Sequence, residues 1–446
     1  MIVDIDPAND VSKFGRLIRQ HRVRIGMTQR QLADFSTISV RAIRDLEQGK
    51  ARRPRQDTVR LIAEALRLGP RARADLTSAA SLGQLVFGPL PGHGDETPAP
   101  PIATDPLIAR ESELAALQSE LASGGERLVH VVGLSGVGKT RLVLEVATRL
   151  HASDGMPVLW HAMADAVADH RRQMAEPLVE VVRAAVEDLF TGQGGGVAAF
   201  VDLVSEAPAL LVIDGADGCS PRPERLELLL RGCPELRLIV TSDRAWGVPP
   251  ERLFLLGPLE LPHPSDIRDA GTLARVPAVR LFLDRMLQIR PRYTLSDADV
   301  PAVAEICRQV DGLPVALRAA ASWLVVYELE VLYRCLDGDP EGLLGHAAGP
   351  DGGCGYRDDL MRHLDRLPAG DRELLGALCE FGGEFELDDV VTLTGLPLPD
   401  AGRRVRSLLL HGVVRPWYEA GRCRFEVLNL VLACHFTAPV PATCRS

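Results

Sequence analysis

GLSGVGKT, Gly133 to Thr140, follows an apolar run that begins LVHVV at Leu128 and opens the amphipathic stretch RLVLEVATRL. Its spacing, G-x-x-x-x-G-K-T between a strand and a helix, is that of a loop that wraps phosphate. Gly133 and Gly138 let the backbone curl, with Ser135, Gly136 and Val137 along the curve, so that N–H groups point at the anion. Lys139 reaches the β- and γ-phosphates, Thr140 offers a hydroxyl to Mg²⁺, and Arg141 lies on the first helical turn beside them. The expected ligands are ATP or ADP with Mg²⁺.

The flanking sequence gives the loop its setting. PVLWHAM (157–163), ALLVID (209–214) and LRLIVTS (236–242) are further continuous apolar runs of strand length, separated by helical stretches. Strands buried on both faces have this composition, and their alternation with helices implies a parallel α/β sheet over 108–262. ALLVIDGAD ends its strand at Asp214, the residue expected to hold the metal with Thr140. The loop and this strand end resemble those of P-loop ATPases, and the resemblance implies that Gly215 stands where a second acid would orient the attacking water, with Asp217, three positions after Asp214, the displaced candidate for that role. From about Ala274 the pattern is helical again, interrupted by AAGPDGGCGY (347–356). No repeat of 20 to 50 residues is present.

Upstream, residues 1–80 read as four short helices. Phe14, Leu17 and Ile18 form one apolar face, ending near Gly26; Thr28 caps a second helix carrying Leu32 and Ala33. Ser39 caps a third, stopped by Gly49, with Ile43 and Leu46 inward and Arg41 and Arg44 outward. Val59, Ile62 and Leu66 close the core from a fourth. Residues 86–107 hold six prolines and three glycines, so 81–107 is expected to be an extended, poorly packed linker.

Charge separates the head from the body. Residues 11–75 carry 16 Lys/Arg against 6 Asp/Glu and the remainder 34 against 54, although the whole chain is at −10. A basic head on an acidic body suits a polyanionic partner for the head alone. The nine cysteines, all between Cys219 and Cys444, contain no C-x-x-C pair, which suggests reduced thiols rather than a disulfide framework or zinc site. MIVDIDPAND at the start has three Asp and no cation, unlike a secretion signal, and no apolar run approaches the ~18 residues of a membrane span. A cytoplasmic location with no membrane partner is expected.

MTQRQLADFSTISVRAIRDLEQGKARRP (27–54) resembles the Xre/Cro-type helix-turn-helix family, with Thr37 where the turn commonly has Gly. The resemblance implies that the third helix enters the major groove with Ser39, Val40, Arg41 and Arg44 toward base edges. It places Gln29, Lys50, Arg52 and Arg53 at phosphate oxygens. The body, from about Leu107 to Leu317, resembles an NB-ARC-type domain of the signal-transducing (STAND) ATPases of bacterial, actinobacterial-like regulators. LIARESEL (107–114) is similar to the motif whose arginine, Arg110, lies by the adenine. CPELRLIVTSDRAWGVP (233–249) is similar to the sensor strand, with Asp243 in the arginine's place and Arg244 one residue late. DGLPVAL (311–317) places Pro314 by the nucleotide, and 357–436 resembles a winged helix, with Leu428 and Asn429 replacing a His-Asp pair.

Together these imply a multidomain fold. An all-α helix-turn-helix head (1–80) and linker (81–107) lead into an α/β P-loop NTPase with a parallel sheet (108–262). A helical domain (263–346) and a winged-helix segment (357–436) follow. The function implied is an ATP/ADP-switched transcriptional regulator that binds double-stranded operator DNA, assembles as a homo-oligomer when active and turns over ATP slowly or not at all. The other reading is a signalling or defence sensor that oligomerises on a cue, with the head recruiting a partner or binding DNA non-specifically.

Overall fold

The computed structural model describes residues 13–48, 56–66, 68–69, 72–73, 76, 97–122, 127–163, 176–205, 207–248, 251–338, 355–419 and 422–437. By its internal contacts the chain forms two compact units. One comprises 1–102, 147–213 and 219–239, and the other 103–146, 214–218 and 240–446.

In the first unit, helices α1 (Lys13–Arg24), α2 (Gln29–Ser36), α3 (Val40–Glu47) and α4 (Gln56–Ala65) make up the head. Its core is Phe14, Ile18, Leu32, Ala33, Ile43, Leu46, Val59, Ile62 and Leu66, with Leu17 packed at its margin. Thr28 caps α2 by accepting the Gln31 N–H, and the Gln31 side chain returns the bond to the Thr28 N–H. Ser39 caps α3 by accepting the Ala42 N–H. Each cap satisfies donors that a helix start leaves open, which is how hydroxyl residues set these boundaries. Thr37 holds the left-handed conformation expected of it, φ 57°. Gly49 lies outside the described residues.

The central α/β layer contains β1 (Leu128–Val132), β2 (Val158–Ala162), β3 (Ala209–Asp214), β4 (Leu236–Ser242) and β5 (Glu251–Leu255), in the order β2-β3-β4-β1-β5. Along the chain these strands alternate with α5 (Glu111–Ala122), α6 (Lys139–Asp154), α7 (Glu176–Thr191), α8 (Gly196–Val204) and α9 (Pro223–Gly232). Four of the strands, the edge strand β2 among them, coincide with the apolar runs, because strands covered on both faces are apolar on both. β5 was not expected from the sequence. It pairs in parallel with β1, Leu128 opposite Glu251 through Val132 opposite Leu255, at the sheet edge; it opens on two charged residues, Glu251 and Arg252, and no residue of it is fully buried.

The stretch 97–107 corrects the expectation of a poorly packed linker. It has no regular secondary structure, but Pro98, Pro100 and Pro101 are buried, and the Pro98 carbonyl accepts the Val158 N–H at 2.8 Å. The Asp105 carboxylate receives Arg285 at 2.7 Å and Arg318 at 3.3 Å. Proline cannot donate to a ladder but packs well, so composition signalled absent secondary structure and not absent packing. Residues 81–96 of that stretch, and 347–354 of the Gly-rich loop, lie outside the described residues.

Beyond β5 the second unit is helical: α11 (Pro277–Ile289), α12 (Val300–Gln309) and α13 (Pro314–Ser322), after the short α10 (Ala270–Leu273), and then α14 (Leu329–Gly338). Pro at the first or second helical position starts three of these, where its missing N–H costs nothing. A C-terminal module follows. It runs α15 (Tyr356–Asp365), α16 (Ala369–Phe381), β6 (Glu384–Phe385), α17 (Leu387–Thr394), α18 (Leu398–Leu410), β7 (Val414–Glu419), β8 (Arg422–Val427) and α19 (Asn429–Thr437). Its antiparallel sheet has the order β6-β8-β7.

Candidate functional site

The phosphate loop connects β1, buried throughout, to a helix (Lys139–Asp154) that begins at the lysine. Gly136 and Gly138 take φ +77° and +100°, values open to glycine without strain. The loop is seated from below: the Gly133 N–H donates to the Ser242 carbonyl of β4 at 3.3 Å, and Leu256 N–H donates to Val132 at 2.8 Å. Pro314 starts α13 beside Gly138, and Val315 N–H donates to the Gly136 carbonyl at 3.2 Å. The proline named from sequence therefore lies against the loop.

Three oxygens converge at the loop's exit. The Thr140 hydroxyl donates to Asp214 Oδ1 at 2.8 Å, and the Thr241 hydroxyl donates to the same oxygen at 2.6 Å. Thr241 in turn accepts the Gly215 N–H at 2.8 Å. Burial pushes the Asp214 carboxyl up, against the two hydroxyl bonds and Lys139, which favour the charged form. A divalent cation would offset that burial, so Thr140 and Asp214 suit the Mg²⁺ role assigned to them. The Asp217 oxygen Oδ1 is shut off from solvent with no hydrogen-bond donor among the described residues. Such an oxygen is unstable without a cation or water.

The Lys139 ammonium donates to the carbonyls of Gly133 at 2.8 Å and Leu134 at 3.2 Å. Burial lowers its pKa, and the carboxylates of Asp217, Asp243 and Asp214 pull the other way. The cradle of backbone amides, a half-buried lysine and an under-satisfied acid fits a nucleotide's phosphates with Mg²⁺.

β4 ends at Ser242, so Asp243 and Arg244 leave the pleat. Asp243 is buried: Oδ1 accepts the Gly218 N–H at 3.2 Å, and Oδ2 accepts Arg366 at 2.8 Å and lies 3.5 Å from His363 Nδ1. Burial alone would raise this carboxyl, but His363 and Arg366 hold it well below the usual carboxylate range. Arg244 donates to the Gly218 carbonyl at 3.2 Å. His363, Arg366 and Thr241 were missed from the sequence. Only Thr241 had a signal, as the threonine of the sensor strand.

Two residues assigned to the nucleotide bond the protein's own scaffold. Arg110, buried, donates to Val137 O at 3.2 Å, to Gly257 O at 2.6 Å and to Glu113. It braces the loop through Val137, with three acceptors sharing one guanidinium. Arg141 donates to the Asp105 carbonyl at 2.7 Å and to Glu145 at 2.8 Å. Ser135 and Val137 lie on the curve of the loop, Val137 with its side chain buried.

On the head, Arg41 and Arg44 project from α3 as expected. Arg41 is 92% exposed, with only a 3.9 Å approach to Asp45. Ser39 is exposed with its hydroxyl engaged in the cap, and Val40 is half-buried against the core, so its part at a base edge is limited. Gln29 departs from expectation. Its amide donates to Glu47 Oε2 at 2.7 Å, and buried Glu47 also receives Arg22 Nε at 2.6 Å. The Gln29–Glu47–Arg22 bonds tie α2, α3 and α1 together. Lys50, Arg52 and Arg53 lie outside the described residues. Among the described residues no cluster of three or more His, Cys, Asp or Glu could hold a metal, and no helix is long and apolar enough to cross a membrane.

Residues 18–72 match the helix-turn-helix family, and residues 106–240 match the AAA ATPase domain family. One chain thus joins a helix-turn-helix head to an ATPase domain. An uncharacterized protein of Mycobacterium tuberculosis is 27% identical over 289 residues, 63% of this chain and 67% of that one. A second M. tuberculosis protein, provisionally named an HTH-type transcriptional regulator, is 26% identical over 275 residues, 58% of this chain; the match spans 27% of that longer protein. Among solved structures, a STAND protein with a tetratricopeptide repeat sensor from Pyrococcus horikoshii covers 78% of this chain and 44% of its own, at 14% identity and TM-score 0.30. The Aeropyrum pernix ORC1 protein in complex with DNA covers 75% and 94%, at 19% identity and the same TM-score.

Proposed function

We propose that the chain is a cytoplasmic, nucleotide-dependent DNA-binding transcriptional regulator of the STAND class. The observation that carries this reading is the pairing, in one polypeptide, of the Thr140–Asp214–Thr241 set beneath a lysine-bearing phosphate loop with a basic head that presents Arg41 and Arg44. Lys139 and the loop amides hold the phosphates, Thr140 and Asp214 hold Mg²⁺, and the bound metal supplies charge neutralisation for the terminal phosphates. The position of Pro314 against the loop supports an NB-ARC-type helical segment over 263–346. The order helix, strand, helix, helix, hairpin over 369–427 supports a winged helix within 357–436. The name of the longer M. tuberculosis relative points the same way. A head this small binds weakly by itself. Presenting two or more together on a palindromic operator raises effective concentration, so ATP/ADP-controlled homo-oligomerisation is the switch.

The test uses the full chain. ADP or ATP at about 100 times its Kd stabilises by ~2.7 kcal/mol, and Lys139→Ala removes that shift. Arg41→Ala and Arg44→Ala each cost ~1–3 kcal/mol at one base pair and relax specificity there. Loss of Arg52 or Arg53 weakens all sequences about equally. Nucleotide-driven assembly with no sequence preference in the bound DNA would refute the regulator reading in favour of a signalling sensor.

A further inference from the structure

Asp214, Asp217 and Asp243 all act electrostatically on a single lysine, Lys139. A nucleoside triphosphate brings about four more negative charges, and a diphosphate about three, so the site needs cations beyond Lys139 and Mg²⁺. They are close by. Asp243 follows Ser242, whose carbonyl is bonded to the first glycine of the phosphate loop. Its carboxylate is held by Arg366 and His363, both from the C-terminal module, and by the Gly218 N–H, next to Asp217.

The two side chains are not equivalent. His363 is buried and its Nε2 lies 2.9 Å from the His411 carbonyl, so the ring is fixed from both sides. The Arg366 side chain is 40% exposed and engages Asp243 through one nitrogen, Nη1. The guanidinium carries five donors on a long flexible stem and pairs with phosphate at least as well as with carboxylate. It also lies over the turn that carries Asp217, with its Nε 3.4 Å from the point where a side chain on Gly218 would begin.

We propose that Arg366 is a nucleotide-reading residue, which turns from Asp243 to the terminal phosphate of a nucleoside triphosphate and makes the site favour tri- over diphosphate. This rests on the nucleotide-binding reading above. Asp243 is the competing anion: it parks Arg366 when no terminal phosphate is present and yields it when one arrives. The exchange breaks one of the bonds that hold the C-terminal module to the loop after β4, so the module answers to the terminal phosphate.

The experiment measures affinities of the full chain with Mg²⁺ for ADP and for a non-hydrolysable ATP analogue, by titration calorimetry. A charge-assisted bond to phosphate corresponds to roughly tenfold in affinity. Arg366→Ala is expected to weaken the ATP analogue by about tenfold, with ADP unchanged within about twofold. Arg366→Lys recovers part of the loss, and Asp243→Asn, which frees the arginine, strengthens the analogue relative to ADP. A purely structural role for Arg366 would move both nucleotides together. An unchanged ratio in Arg366→Ala overturns the proposal, as does transfer of the effect to Arg244→Ala. If the wild-type chain binds neither nucleotide, the failure lies with nucleotide binding itself, and Lys139→Ala, silent in that case, identifies it.

Discussion

Asp311 makes the strongest pH prediction. It is fully buried at the turn before α13, and its carboxylate accepts the first two N–H groups of α19, from Asn429 to Oδ1 and from Leu430 to Oδ2, both at 2.9 Å. Arg415 approaches to 3.9 Å, and Glu426 and Tyr356 are its other polar neighbours. Burial outweighs Arg415 and the two amides, and the carboxyl is pushed up to about 7. The ordinary unfolded value is ~3.9. Between about pH 4 and 7 the folded chain therefore holds a proton that the unfolded chain has released. Stability from this group is complete below pH ~4, falls as pH rises to about 7, and is flat above. Three units at 1.36 kcal/mol each give a span on the order of 4 kcal/mol. Asp311→Asn cannot ionise and keeps one acceptor, at a cost of about 1–2 kcal/mol for the helix N–H left unpaired. Hydrogen exchange of the 429–437 peptide in the full chain, wild type and variant side by side from pH 5 to 8, cancels the other titrations. The variant should exchange faster at pH 5, and its disadvantage should close or reverse by pH 8. Parallel profiles at every pH would show that Asp311 does not titrate in this range.

Three shorter predictions follow from neighbouring geometry. Thr37→Gly relieves a left-handed residue worth about 1 kcal/mol, so amides of α2 and α3 should exchange about fivefold more slowly; faster exchange would mean that the Thr37 hydroxyl bond to Ser36 matters more. Wild-type ATP turnover should be far slower than that of an ordinary P-loop ATPase, and Asp217→Asn should lower it further only if Asp217 orients water; brisk wild-type turnover in a steady-state assay would reject the slow switch. Gly215→Asp, an obvious way to restore an acid, should instead destabilise the chain by about 1–2 kcal/mol, because Gly215 has φ +76°; a rise in both melting temperature and turnover would contradict this.

The sequence was most legible where a local rule has a local cause. Thr28 and Ser39 cap because a hydroxyl before an apolar-periodic segment has little else to bond. β3 and β4 appear at the bounds of their apolar runs because interior strands admit little polarity. The loop's curvature at Gly136 and Gly138, and the approach of Asp214 to Thr140, were visible for the same reason, since a tight strand-to-helix turn dictates residue types at fixed spacing. What was not legible depends on partners distant in sequence. Arg110 matches a ligand-contacting pattern, yet its donors go to Val137 and Gly257, 27 and 147 residues away. Gln29 sits where a phosphate contact is common, but Glu47 is buried opposite and needs its amide. Arg366 and His363 form part of no motif; they matter because Asp243, an unusual residue at the end of β4, needs cations in a place where the chain supplies them from 120 residues further on.

That dependence makes the C-terminal module's attachment asymmetric. At one end, Arg366 of the module holds Asp243 through charge, with His363 beside it, and that carboxyl is held well below the usual carboxylate range. At the other, Asp311 holds the start of α19 through backbone N–H groups, and burial favours its neutral form. A new anion at the phosphate loop competes directly for the first attachment, because it bids for the same cations. It has no donor to take from the second, where the bonds are main-chain amides of a helix start. Neutralising Asp243 by substitution should therefore loosen α15 while leaving the α19 amides protected, whereas an uncharged residue at Asp311 should do the reverse. Separate hydrogen-exchange readings over 356–365 and 429–437 distinguish these outcomes. If both regions loosened together in either variant, the module would be a single cooperative body with α15 and α19 fastened as one.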